Sequence, residues 1–271
     1  MTRTKLHELA DLGQSVWLDY MHRSLIKSGG LREYVEKGLR GVTSNPAIFA
    51  EAIAESDLYN DQIEKLARDG KSPEEIYEEL VVEDSRMAAD VLRPVFDESA
   101  GTDGFFSLEV NPHLAHDTPG TVQEAFRLFK AVDRSNIMIK VPATEEGISA
   151  FRELTEEGIN INVTLMFSLA QYDAVAEAFI AALEKRVANV YNVKTIASVA
   201  SLFVSRIDTK VDELLEILDT PGARSLKGTI GIANAKMAYQ RFKELFQSER
   251  WELLADKGAH VQRVLYGSTG T

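Results

Sequence analysis

The 271-residue sequence contains no cysteine, which excludes disulfide frameworks, thiolate zinc sites and a cysteine nucleophile. Its five histidines (His7, His22, His113, His116 and His260) show no metal-ligand spacing and read as surface residues, so no metal and no cofactor is expected. Long apolar runs are missing as well. None approaches the roughly 18 residues of a membrane span, and Met1-Thr2-Arg3-Thr4-Lys5 leads into polar sequence rather than a signal-peptide core. A cytoplasmic protein without a membrane partner is the expectation. Positive charge is in deficit: 30 Lys and Arg against 42 Asp and Glu leave a formal charge of −12. Such a chain repels nucleic acid, although a few local cations could still hold a small anion.

What is present is the mixture of a globular protein, 45% apolar and 27% charged residues. Short β-branched runs alternate with amphipathic stretches throughout. Strands are predicted at Ser15–Asp19, Gly41–Ser44, Phe105–Val110, Asn136–Val141, Ile161–Phe167, Thr195–Leu202 and Gln262–Gly267. Helices are predicted from Ser72-Pro73 to Phe96, from Thr118-Pro119 onward, from Ser168 to about Lys185, and over Thr209–Leu218 and Thr229–Phe246. Gly158 and Gly258 stop shorter ones. Strands separated by helices imply βα units and a parallel sheet. No Gly/Ser tract or Pro-rich linker interrupts them, so residues 1–271 read as one domain, with residues 50–104 as a helical insertion. The G-x-G-x-x-G turn of dinucleotide folds is missing after the first strand, where Asp19-Tyr20-Met21-His22 stands instead. That disfavours a nucleotide-binding oxidoreductase.

Polar residues at strand ends point to a closed barrel, which gathers those ends into one pocket. Lys140 interrupts the apolar run Ile137-Met138-Ile139-Lys140-Val141-Pro142. Burial disfavours an ammonium, and bringing a lysine from about 10.4 to roughly 7 takes about 4–5 kcal/mol. The neutral amine so obtained attacks carbonyls; the plainer alternative is a strand-end lysine reaching solvent. Glu109 shares a strand face with Ser107 and reads as a general acid/base or as a structural hydrogen-bond partner. Asp19 closes the first strand, with a capping role as its alternative. Asn45, before Pro46, is a site residue or simply a turn signal. Asn162 and Thr164 share one face of the fifth strand, with Ile161, Val163 and Leu165 on the other. Ser198 and Ser201, followed by Arg206, put hydroxyls and a cation around the end of the sixth strand. The acidic series Glu74-Glu75, Glu78-Glu79, Glu83-Asp84 reads as a solvated helix face, and Gly228-Thr229-Ile230-Gly231 lacks the phosphate-loop pattern.

Three segments, Gly41-Val42-Thr43-Ser44-Asn45-Pro46, Ile139-Lys140-Val141-Pro142-Ala143-Thr144 and Gly158 to Ser168, together with Ala200-Ser201-Leu202-Phe203-Val204-Ser205-Arg206-Ile207-Asp208, make the sequence resemble the transaldolase family over nearly its whole length. The resemblance implies a (β/α)8 TIM-type barrel, of which seven strands are legible here. It also implies transfer of a dihydroxyacetone unit from sedoheptulose 7-phosphate or fructose 6-phosphate to an aldose phosphate, within the pentose phosphate pathway. Lys140 would form the Schiff base, Asp19 would shuttle the proton at the cleaved bond, and Glu109 with Thr164 would serve the water steps. Asn45, Asn162 and Ser201 would hold the dihydroxyacetone hydroxyls, and Arg206 and Ser268 the phosphate. Family members continue beyond Ser268-Thr269-Gly270-Thr271 with an eighth strand and closing helices, so the resemblance implies a chain lacking its C-terminal end. A barrel one strand short leaves open edges that favour pairing, as in a homodimer. Two alternatives stay open: an aldolase releasing free dihydroxyacetone, and a non-catalytic barrel that pairs through those edges.

Overall fold

A computed structural model describes residues 3–270. Among the described residues the fold is α/β, with seven strands separated by helices, as the pattern predicted. The strands are β1 (Trp17–Asp19), β2 (Gly41–Thr43), β3 (Phe105–Glu109), β4 (Ile137–Pro142), β5 (Ile161–Met166), β6 (Ser198–Phe203) and β7 (Arg263–Gly267). Each lies within three residues of its predicted bounds. The seven-strand βα series is that of a TIM-type barrel. Two compact units divide the chain. One holds the chain up to Asn111 together with Gln123–Ile139; the other holds Pro112–Val122 and the chain from Lys140 on.

In the first unit β1, β2 and β3 are parallel neighbours, with Asp19, Thr43 and Ser107 level in register. Phe106 N donates to Asn136 O at 3.0 Å, which brings in the start of β4. The long helix Pro73–Glu98 begins at a capping box. Ser72 Oγ accepts from Glu75 N at 3.2 Å, the Glu75 carboxylate accepts from Ser72 N at 2.8 Å, and Pro73 occupies the first turn, where its missing N–H costs nothing. Leu80, Val81, Ala88, Leu92 and Val95 form its buried stripe. Phe96 meets Phe105 edge-on at 5.3 Å. This close packing requires Gly104: at φ +79°, a Cβ there would stand 2.3 Å from Phe96 N. The helices Pro46–Ala54 and Asn60–Arg68 precede the long one.

In the second unit Ala143 N donates to Thr164 O at 2.8 Å, joining the end of β4 to β5, and β5, β6 and β7 continue in parallel. The helices Glu145–Glu157 and Leu169–Ala188 are capped by Thr144 and Ser168 and cover the strands with Ala150, Phe151, Leu154, Val175, Phe179 and Leu183. Phe151 stacks on Phe179 at 6.3 Å, and Phe246 meets Trp251 at 4.8 Å. Gly228 N and Gly231 N are taken by Asp212 and Asp208, which occupies the donors a phosphate loop would need. Several short helices escaped the sequence pattern, among them Arg23–Lys27, Gly30–Glu36 and Pro221–Leu226. At five to seven residues they have too few turns for a periodic signal. Among the described residues no helix is long and apolar enough to cross a membrane.

Candidate active site

The C-terminal ends of β1, β2 and β3 gather one polar group in the first unit. Asp19 is the last residue of β1 and is exposed; Thr43 ends β2 buried, with no hydrogen-bond partner for its hydroxyl. Ser44 donates through both N–H and Oγ to Ser107 O, at 3.2 and 2.8 Å, which fixes the β2 end on β3. Glu109 closes β3, half-buried, two residues from Ser107 and therefore on the same strand face. Asn45 serves a structural purpose: its Oδ1 accepts from Ile48 N at 3.0 Å, capping the helix Pro46–Ala54. The cap uses the carbonyl of the side chain and leaves the NH2 end as a donor for other work. Tyr77, on the helix Pro73–Glu98, adds a group the sequence did not suggest. Burial, and then the carboxylate of Glu109, push its hydroxyl up to about 12.

The second unit carries the remaining candidates. Lys140 lies in β4 with only 5% of its surface exposed, flanked by fully buried Ile139 and Val141. Solvent-reaching placement is thereby excluded for it. Asn162 and Thr164 are buried on β5, next in the sheet, and Ser201 Oγ donates to Asn162 Oδ1 at 2.6 Å. That bond aims the Asn162 amide and leaves the Ser201 oxygen able to accept. The strict alternation expected for β5 fails at its end. A bulge falls between Val163 and Met166, Leu165 takes φ +63°, and its side chain is 36% exposed while Met166 is buried. The extra residue turns Leu165 out of the core row. Ser198 also departs from expectation. It opens β6 rather than ending it, donating to Ile161 O and accepting from Gln262 Nε2, both at 2.8 Å.

Beyond β6, Arg206 is exposed at the start of the helix Ser205–Leu218, its guanidinium 4.8 Å from the Phe203 ring centre. Phe203 in turn packs on Phe167 at 5.5 Å. Ser268 follows β7 at φ +51°; Ser205 N donates to its carbonyl at 2.8 Å, and the two hydroxyls are also 2.8 Å apart. A cation on an aromatic shelf beside two paired hydroxyls suits an anionic oxygen cluster such as a phosphate. The aromatic shelf was not recognised in the sequence, although Phe203 lies inside the Ala200–Asp208 motif. Among the described residues no three His, Asp or Glu side chains cluster as a metal site would require.

The acidic series on the helix Pro73–Glu98 is not uniformly solvated. Asp84 is fully buried, its Oδ1 accepting from Arg23 Nε at 2.6 Å and its Oδ2 from Tyr59 OH at 2.7 Å. The signal was available: Asp84 stands four residues from both Leu80 and Ala88, on the apolar stripe rather than on the acidic face.

The transaldolase/fructose-6-phosphate aldolase family profile matches residues 16–270. A transaldolase of Thermobifida fusca is 49% identical over 266 residues, which is 98% of this chain and 72% of that protein. A transaldolase of Thiobacillus denitrificans is 48% identical over 264 residues, 97% of this chain and 74% of the relative. A transaldolase of Trichodesmium erythraeum is 46% identical over 280 residues, spanning 100% of this chain and 74% of its own length.

Proposed function

The chain belongs to the transaldolase/fructose-6-phosphate aldolase family and is an enzyme of the transaldolase kind, and on that premise we propose that it moves a dihydroxyacetone unit from a ketose phosphate to an aldose phosphate through a Schiff base on Lys140. The observation that carries the reading is a lysine 5% exposed inside an apolar strand, with the bonded pair Asn162–Ser201 on the strands beyond it. The neutral amine of a lysine is the nucleophile that adds to a carbonyl.

The proposed sequence of bonds is as follows. Nζ of Lys140 adds to the C2 carbonyl of the donor, and the carbinolamine loses water to give an iminium. Asp19 takes the proton of the C4 hydroxyl. The C3–C4 bond breaks, its electron pair moves into the iminium, and an aldose phosphate departs. The resulting enamine attacks the aldehyde of the acceptor, and Asp19 returns its proton to the new alkoxide. Glu109 and Thr164 handle the water lost and regained at C2. Asn45, Asn162 and Ser201 hold the hydroxyls of the three-carbon unit, and Arg206 and Ser268 hold the phosphate. The same reading puts the protein in the pentose phosphate pathway of the cytoplasm.

Acceptor dependence tests the proposal. With fructose 6-phosphate as donor, turnover is expected only when an aldose phosphate is supplied, with a ketose phosphate of new length as product. Steady release of free dihydroxyacetone without acceptor would make the protein an aldolase instead.

A further inference from the structure

The chain leaving β1 runs directly into a buried ionic knot of the first unit. Arg23 is buried four residues after Asp19, and every part of it is engaged. Its Nε donates to Asp84 Oδ1 at 2.6 Å, Nη1 to Gln62 Oε1 at 2.7 Å, and Nη2 to Leu80 O at 3.5 Å. Its backbone N donates to Tyr59 OH at 3.3 Å, and its guanidinium lies 4.2 Å from the centre of the Tyr59 ring. Tyr59 OH donates to the second Asp84 oxygen at 2.7 Å. Between Asp19 and Arg23, Met21 is buried and His22 caps the helix Arg23–Lys27 by accepting from Ser24 N at 3.1 Å.

A buried ion pair is a poor way to gain stability, because desolvating both charges offsets most of their attraction, and an apolar replacement often does as well. What such a pair supplies is a single geometry. β1 has only three residues of ladder, so its pairing alone leaves the direction of its exit weakly fixed. The helix that carries Asp84 also carries Tyr77, two turns earlier, whose hydroxyl feels the Glu109 carboxylate. One helix therefore serves as the reference for both carboxylates proposed to move protons.

We propose that Arg23, Tyr59 and Asp84 form a positioning device for Asp19, fixing the β1 exit so that the carboxylate meets the substrate hydroxyl at the distance proton transfer needs. The inference rests on the role proposed above for Asp19. Tyr59→Phe deletes one hydroxyl and keeps the ring under Arg23. It is expected to lower kcat about tenfold, since small displacements of a reacting group are costly, with KM changed by less than about twofold. Borohydride trapping at Lys140 should persist, because Schiff-base formation precedes the step that Asp19 serves. In an Asp19→Asn background, itself impaired, Tyr59→Phe should add no further loss.

Turnover retained within about twofold by folded Tyr59→Phe would overturn the proposal, as would loss of trapping in parallel with turnover or an equal further loss in the Asp19→Asn background. Unimpaired turnover by Asp19→Asn would instead overturn the role of Asp19. Gln62→Met, which removes the acceptor for Nη1 of Arg23 and the donor to the Glu83 carboxylate but leaves the Arg23–Asp84 and Tyr59–Asp84 bonds, should show the same pattern with smaller amplitude. It decides the matter if Tyr59→Phe does not fold.

Discussion

Gly147→Ala separates the positioning of Lys140 from the stability of its surroundings. Gly147 lies in the first turn of the helix Glu145–Glu157, its N–H donating to Thr144 Oγ1 at 3.0 Å. A Cβ built there stands 2.0 Å from Pro142 O, at the end of the strand that carries Lys140, and real Cβ atoms essentially never come within 3.0 Å. The helix and the β4 end must therefore part by at least about 1 Å, from the 2.0 Å and 3.0 Å figures. A backbone carbonyl cannot swing aside as a side chain would. Overpacking of this kind costs about 1–3 kcal/mol, and the gain in helix propensity returns about 1 kcal/mol. The net loss of stability should be no more than about 2 kcal/mol. Activity should suffer more, because a 1 Å displacement near reacting atoms can cost about 10²-fold. Urea unfolding and steady-state kinetics, measured with Gly222→Ala as control, give both quantities; no atom lies within 4 Å of a Cβ at 222. Full activity in a variant destabilised by about 2 kcal/mol would refute the link between this contact and the lysine.

Phe203→Leu removes the surface beneath Arg206 and should raise KM for phosphorylated substrates several-fold, with little effect on an unphosphorylated aldehyde acceptor. Kinetics with the two acceptors test this, and an equal rise for both would refute it. Leu165 takes φ +63° on a bulge, a conformation that costs a non-glycine residue about 1–2 kcal/mol. Leu165→Gly should therefore be neutral or slightly stabilising in urea unfolding, unusual for a leucine-to-glycine change in a strand. Tyr77 titrates near 10 when unfolded and at about 12 when folded. Between those values the unfolded state holds fewer protons, so stability falls as pH rises, by about 1.4 kcal/mol per unit from this residue. Urea midpoints across the alkaline range measure the slope, and Glu109→Gln should narrow the pH window over which stability falls, because removing the neighbouring charge brings the folded value closer to the unfolded one.

Strand positions and the long helices were legible in the sequence because each rests on a local rule. The Ser72-Pro73 start and the apolar run around Lys140 required no knowledge of what they pack against. The short helices between β1 and β2, the bulge at Leu165 and the Arg23–Asp84 pair were not legible for the opposite reason. Their form depends on tertiary neighbours: Arg23 finds its carboxylate 61 residues away, and no windowed pattern reports that. The candidate residues were named from strand ends, except Ser268, which came only from the family resemblance, and the structure added what restrains several of them. Asn45 gives its carbonyl to a cap, Ser201 is bonded to Asn162, and Arg206 lies over Phe203.

Reductive trapping tests the central chemistry most directly. With fructose 6-phosphate and borohydride, peptide mapping should find a three-carbon adduct on Lys140. Lys140→Met should lose it while keeping the native circular dichroism spectrum. An adduct on another lysine, or an unmodified chain that still turns over substrate, would contradict the account.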